Sequence, residues 1–155
     1  MILHFDPVDE TEAGTLIELA RAFHHEDSHP LDAAGEAALR QIAQDEPLAR
    51  AWIVRENGEA VGYLVITLGF SVEYGGRDGF IDDLYVEPAA RGRGLGRKLL
   101  EFAVAQAANL GIGTLHLEVE TNNKSANRLY RKTGFEETGR RLMRLRVRSP
   151  GKPTP

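Results

Sequence analysis

The chain has 155 residues, of which 42% are apolar and 27% charged. That is the size and mixture of one globular domain, not of a disordered chain. A formal net charge of −4 disfavours a general binder of nucleic acid or anionic membrane. There are no cysteines, which removes disulfides, thiolate metal sites and cysteine nucleophiles together.

A short strand is expected at residues 2–5, ahead of Pro7 and the acidic run Asp9, Glu10 and Glu12. The first residues carry neither a basic region nor a long apolar stretch, so a secretory signal is not expected. The longest apolar run, around 60–70, is interrupted by glycines and too short for a membrane span. A cytoplasmic protein is the resulting expectation.

Acids favour a helix start, and Leu16, Ile17, Leu19, Ala20 and Phe23 then recur at helical spacing. The polar segment 24–30 breaks that spacing and reads as a solvated loop. A second helix is predicted from about Asp32, with Leu39, Ile42 and Ala43 on its apolar stripe. Residues 52–55 read as a strand, and Asn57-Gly58 as a tight turn into the next. That next strand, 61–68, is apolar on both faces and belongs in the middle of a covered sheet. Residues 71–79 read as a flexible connection, and 80–86 as a strand closed by Glu87-Pro88.

A long helix is expected after Gly92, Gly94 and Gly96, stopped by Gly111 and Gly113. Residues 114–119 alternate as a strand, and a short helix runs from about Lys124 to Lys132 until Gly134. From Phe135 to Val147 the chain looks strand-like, with a turn near Gly139. The expected organisation is one α/β domain over 1–148 with a disordered tail over 149–155.

The chemistry concentrates where the strand 80–86 meets the glycine turn. A helix start offers free N–H groups and partial positive charge, and glycines let the backbone approach an anion. Arg91, Arg93, Arg97 and Lys98 add positive charge. A dinucleotide fingerprint would need glycine at position 97, which is Arg97. A P-loop would need Lys then Ser or Thr directly after Gly96, yet Arg97 and Lys98 stand there. Both fail, and an R-x-x-G-x-G pattern at Arg91, Gly94 and Gly96 remains.

That pattern, directly after Val86-Glu87-Pro88, resembles the GNAT family of acetyl-CoA-dependent N-acetyltransferases. The second block, Asn123 to Phe135, resembles the family's N-x-x-A-x-x-L-Y-x-K-x-G-F. The resemblance implies a central mixed, mostly antiparallel sheet flanked by helices and splayed between its fourth and fifth strands. It further implies that the main chain of Arg91, Gly92, Arg93, Gly94, Leu95, Gly96 and Arg97 binds the coenzyme pyrophosphate. Leu84, Tyr85 and Val86 would pair with the pantetheine arm, Asn123 would contact it, and Tyr130 would lie near the sulfur. A phenol titrates near ~10, close enough to a thiol for Tyr130 to protonate the leaving thiolate.

An alkylamine with a pKa near ~10.4 must lose a proton before it attacks a thioester. Asp82 and Asp83 interrupt an apolar strand, and regular alternation sends them to opposite faces. A buried acid is costly unless paired or functional, so at least one is expected in the cleft, while a structural salt bridge would suit either. The run from Asp82 to Val86 also resembles polyamine and other small-amine acetyltransferases, which implies Asp82 as base or relay and Asp83 as second choice.

Glu26 and Asp27 are expected to attract a cationic acceptor, because the family lines its acceptor site with the connection between the first two helices. Glu118 and Glu120 share a face with His116 and are further acceptor-side candidates. His116 receives no role and no metal is expected. With no cysteine and no G-x-S-x-G elbow, direct attack in a ternary complex is expected. The expected acceptor is a small primary amine or polyamine. A protein lysine or N-terminus, or coenzyme binding without turnover, is the alternative. The alternating basic and apolar residues 140–148 read as an edge or dimer strand, suiting a homodimer better than a nucleic-acid patch.

Overall fold

The computed structural model describes residues 2–148. Its five strands lie in chain order across one sheet: β1 (Leu3–Pro7), β2 (Ala49–Glu56), β3 (Glu59–Ser71), β4 (Gly76–Val86) and β5 (Thr114–Leu117). The first three pairings are antiparallel and the last, β4 with β5, is parallel. Helices α1 (Ala13–Glu26) and α2 (Ala33–Ala43) precede β2; α3 (Leu95–Asn109) bridges β4 and β5, and α4 (Lys124–Thr133) follows. The parallel pair requires a crossover, which α3 supplies.

Strand alternation divides the core in two. Trp52, Val54, Leu64 and Ile66 pack with Leu99 and Ala103 of α3 on one face. Ala51, Ile53, Tyr63 and Val65 pack with Leu16 and Ile17 of α1 on the other. The sheet is covered on both sides, as the apolar run in β3 requires. Asn57 and Gly58, both at positive φ, make the two-residue turn between β2 and β3.

Three expectations are corrected. Residues 76–79 are not a loose connection; they belong to β4 and pair with β3 from Leu68 to Ser71. Of the glycines in 71–79, only Gly75 lies in the turn, while Gly76 and Gly79 are strand residues. His24, His25 and Glu26 are the last turn of α1, not a loop. The helix is closed beyond them: the Ser28 N–H bonds the His25 carbonyl, and the His29 N–H bonds that of His24. Ser28 takes the left-handed conformation (φ 58°) that glycine usually fills. Finally, 135–147 forms no strand, and Leu142, Met143, Leu145 and Val147 are exposed. Alternation alone cannot make a strand without an edge to pair with. The expected tail, 149–155, lies outside the described residues.

Candidate active site

The sheet parts where the chemistry is expected. β5 pairs with β4 only up to Ile81 against Leu117, while β4 runs on through Asp82 to Val86 without a partner on that edge. A cleft of about 920 Å³ opens there, between the end of α1, the start of α3 and α4.

Its floor is shaped by a bulge. Val65 pairs with Asp83 and Ile66 with Ile81, so Asp82 is an extra residue opposite nothing. Ile81, Leu84 and Val86 all pack on the α3 side, and Tyr85 on the α1 side. The three-residue step from Ile81 to Leu84 turns both Asp82 and Asp83 into the cleft. Opposite faces, expected from regular alternation, are therefore not what the strand provides.

The two acids have different surroundings. Asp83 is largely enclosed and accepts from the Tyr63 hydroxyl at 2.7 Å and from His24 Nε2 at 3.1 Å. Asp82 keeps a solvent-exposed face and has no hydrogen-bond or ion-pair partner among the described residues. Desolvation by the cleft walls, then the charges of Asp83 and Glu118, raises its carboxyl above the usual range. His24 is raised too, chiefly by its bond to Asp83, with burial opposing. Burial first, and then Asp83, holds the fully enclosed Tyr63 phenol far above its ordinary value.

At the other end lies the glycine turn. Gly92 and Gly94 stand at φ 80° and 82°, and Gly94 caps α3 without a side chain. The first amide of α3 to find a partner inside the helix is that of Lys98, bonded to the Gly94 carbonyl. Those of Leu95, Gly96 and Arg97 are the unpaired donors of a helix start, where phosphate is attracted. Arg91 reaches over the Tyr85 ring, donates from Nε to the Val86 carbonyl at 2.8 Å and pairs with Glu26.

Most of the residues expected in the site line this one cleft: Glu26 and Asp27 at the end of α1, Asp82 and Asp83 at the bulge, and Leu84, Tyr85 and Val86 along β4. Arg91, Gly92, Gly94, Leu95 and Gly96 line the turn, while Asn123 and Tyr130 come from α4. Two side chains do not reach it. Arg93 makes a bidentate pair with Glu56 at 2.6 and 2.8 Å, and Arg97 lies beside Glu101. Asn123 caps α4 through its side-chain oxygen to the Ala126 N–H, and the Tyr130 hydroxyl bonds nothing in the described chain. Burial raises the Tyr130 phenol, keeping it protonated. Glu118 and Glu120 also border the cleft.

Sequence reasoning missed His24 and Tyr63. His24 continues the α1 stripe, four residues after Ala20, and that spacing was the available signal.

A sequence model of the acetyltransferase (GNAT) family matches residues 15–135. The chain belongs to that family. It is similar to the uncharacterized N-acetyltransferase YhfO of Bacillus subtilis, with 31% identity over 129 residues, 83% of this chain and 85% of that protein. The thialysine N-epsilon-acetyltransferase of Mus musculus is 28% identical over 137 residues, 83% of this chain and 81% of that one. A solved integron cassette protein, HFX_CASS3, from the mobile metagenome of Cole Harbour Salt Marsh, has a TM-score of 0.81 and 35% identity. That match covers 94% of this chain and 91% of that one. As a GNAT member the protein is an N-acetyltransferase whose acetyl donor is acetyl-CoA. Among the described residues no helix is long and apolar enough to cross a membrane, and no cluster of side chains forms a metal site.

Proposed function

We propose that this GNAT enzyme acetylates a primary amine of a small cationic acceptor, with polyamines the favoured class. One observation carries the reading. Asp82, Glu118 and Glu120 border the cleft with no side-chain partner among the described residues. Unpaired carboxylates around one opening favour a ligand with more than one positive charge.

In this reading the open edge of β4, at Leu84, Tyr85 and Val86, holds the pantetheine arm as an added strand would. The main chain from Arg91 to Arg97 and the start of α3 hold the pyrophosphate, and Asn123 offers its free amide to the arm. Asp82 anchors the acceptor ammonium and relays its proton, with Asp83 behind it. The amine attacks the thioester carbonyl directly, and Tyr130 protonates the departing thiolate. The exposed Leu142, Met143, Leu145 and Val147, with Phe70 and Val72 of the β3–β4 hairpin, support a second copy of the chain as their cover. A single cytoplasmic domain over 1–148 completes the proposal.

The test is release of free thiol from acetyl-CoA with spermidine, n-propylamine, kanamycin and a lysine-containing peptide. Turnover led by spermidine is expected. Turnover confined to the peptide would overturn the small-acceptor reading.

A further inference from the structure

The carboxylates leave a chemical problem. An alkylammonium gives its proton to an ordinary carboxylate against a gap of about six powers of ten, but to an imidazole against only about four. A group nearer in basicity, within the same cleft, would make the better proton acceptor.

His24 borders the cleft, at the end of α1. Its main chain is fixed by the bond from the His29 N–H to its carbonyl. Its ring lies beside Phe23, and Nε2 meets Asp83 Oδ2, the same oxygen that receives the Tyr63 hydroxyl. An ionised carboxylate only accepts hydrogen bonds, so Nε2 carries the hydrogen and Nδ1 holds the lone pair of the neutral ring. Nδ1 has no partner among the described residues. No buried side-chain nitrogen or oxygen among the described residues lacks a partner, so Nδ1 keeps some access to solvent, on a residue that lines the cleft.

We propose that His24 takes the proton of the acceptor amine at Nδ1, directly or through one water, with Asp83 and Tyr63 as positioning residues behind it. The inference rests on the amine-acceptor reading above. The ammonium loses one N–H proton to Nδ1, giving an imidazolium that Asp83 stabilises and that later releases the proton to solvent. The freed nitrogen lone pair forms the N–C bond to the thioester carbonyl as the C–S bond breaks. The second N–H proton passes to the medium as the thiolate is protonated, leaving amide and free thiol. In this step Asp82 holds the ammonium in place.

The charged groups facing His24 are Asp83 and Asp82 of β4 and Asp27 beyond the end of α1. Tyr63 of β3 acts through Asp83, and the adjoining Glu26 is occupied by Arg91. All of the anions favour imidazolium, so the acid limb of kcat should lie above the ordinary imidazole value.

The experiment compares wild type, His24→Gln and Asp83→Asn in kcat against pH with the four amines named above. His24→Gln keeps a donor toward Asp83 but offers no basic nitrogen. Its kcat should fall by about 10²–10⁴-fold with the acid limb gone. Acetyl-CoA binding, and Tm at a pH above the His24 titration, should stay near wild type, which a merely structural role would not allow. Asp83→Asn should move the limb to lower pH. An unchanged limb and kcat in His24→Gln would sink this proposal alone. Silence of the wild type with all four amines would sink the reading beneath it, and this proposal with it.

Discussion

Arg91 and Glu26 meet at 2.8 Å, joining the glycine turn to the last residue of α1. Both side chains are nearly half exposed, so the pair adds less than about 1 kcal/mol to stability. Its effect is on where the cationic head of Arg91 is spent. Glu26→Gln should leave Tm nearly unchanged and tighten acetyl-CoA binding by a few-fold at low salt, because the turn gains an uncompensated positive charge. Calorimetric titration at low and high salt checks this. A gain that persists at high salt would exclude the electrostatic cause.

Gly94 has open space where a Cβ would go, so its requirement is conformational, not steric. At φ 82° an ordinary L-residue costs about 1–2 kcal/mol. Gly94→Val should relieve that strain by shifting the turn, and acetyl-CoA should then no longer raise Tm. Gly94→Asn, better suited to the left-handed region, should keep part of the response. Normal coenzyme binding by Gly94→Val would remove the pyrophosphate from this turn.

Removing the Tyr130 hydroxyl breaks no bond inside the described chain, so Tyr130→Phe should fold with wild-type stability. Its ring still packs against Phe135. If the phenol is the acid, kcat falls by about 10²-fold or more while acetyl-CoA affinity hardly moves. Steady-state kinetics beside a binding measurement separate the two, and an unchanged kcat would end the acid role.

The bond from His24 to Asp83 makes stability depend on pH. The folded chain binds the His24 proton more tightly than the unfolded chain, because the folded value is raised. Its contribution is full below about pH 6.5, the unfolded value, and is lost as pH rises through the folded one. Tm should decline across that window in wild type and decline less in Asp83→Asn. Equal slopes in thermal melts would show that the pair contributes nothing.

The exposed apolar side chains of 142–147 lead to a prediction about assembly. Wild type should run at twice the monomer mass in light scattering, and Leu145→Glu with Val147→Glu should return it to the monomer. A wild-type monomer at high concentration would rule the dimer out.

The elements were legible wherever a periodic apolar pattern coincided with a local stop. Asp32, whose side chain accepts from the Gly35 N–H, starts α2 where expected, and Gly134 at φ 110° ends α4. Errors arose where a residue departs from its usual office. Ser28 in a glycine position hid the last turn of α1, and with it His24. The carboxylates were found by their cost in an apolar strand, but their shared direction was not. That direction depends on a pairing between Val65 and Asp83, residues distant in sequence, which no local pattern contains.

The bulge in β4 has a consequence for how such a site can arise. Without Asp82, Ile81 would be followed directly by Asp83 and Leu84, and Ile81, Leu84 and Val86 would keep their present face in a regular ladder. The hydrophobic layers do not need the extra residue. A chain shortened by that one position should therefore close the same sheet, keep the Tyr63–Asp83–His24 contacts and lose only the unpartnered acid of the cleft. On the proposal that Asp82 meets the acceptor, acceptor handling in this scaffold should then be separable from folding by a single codon.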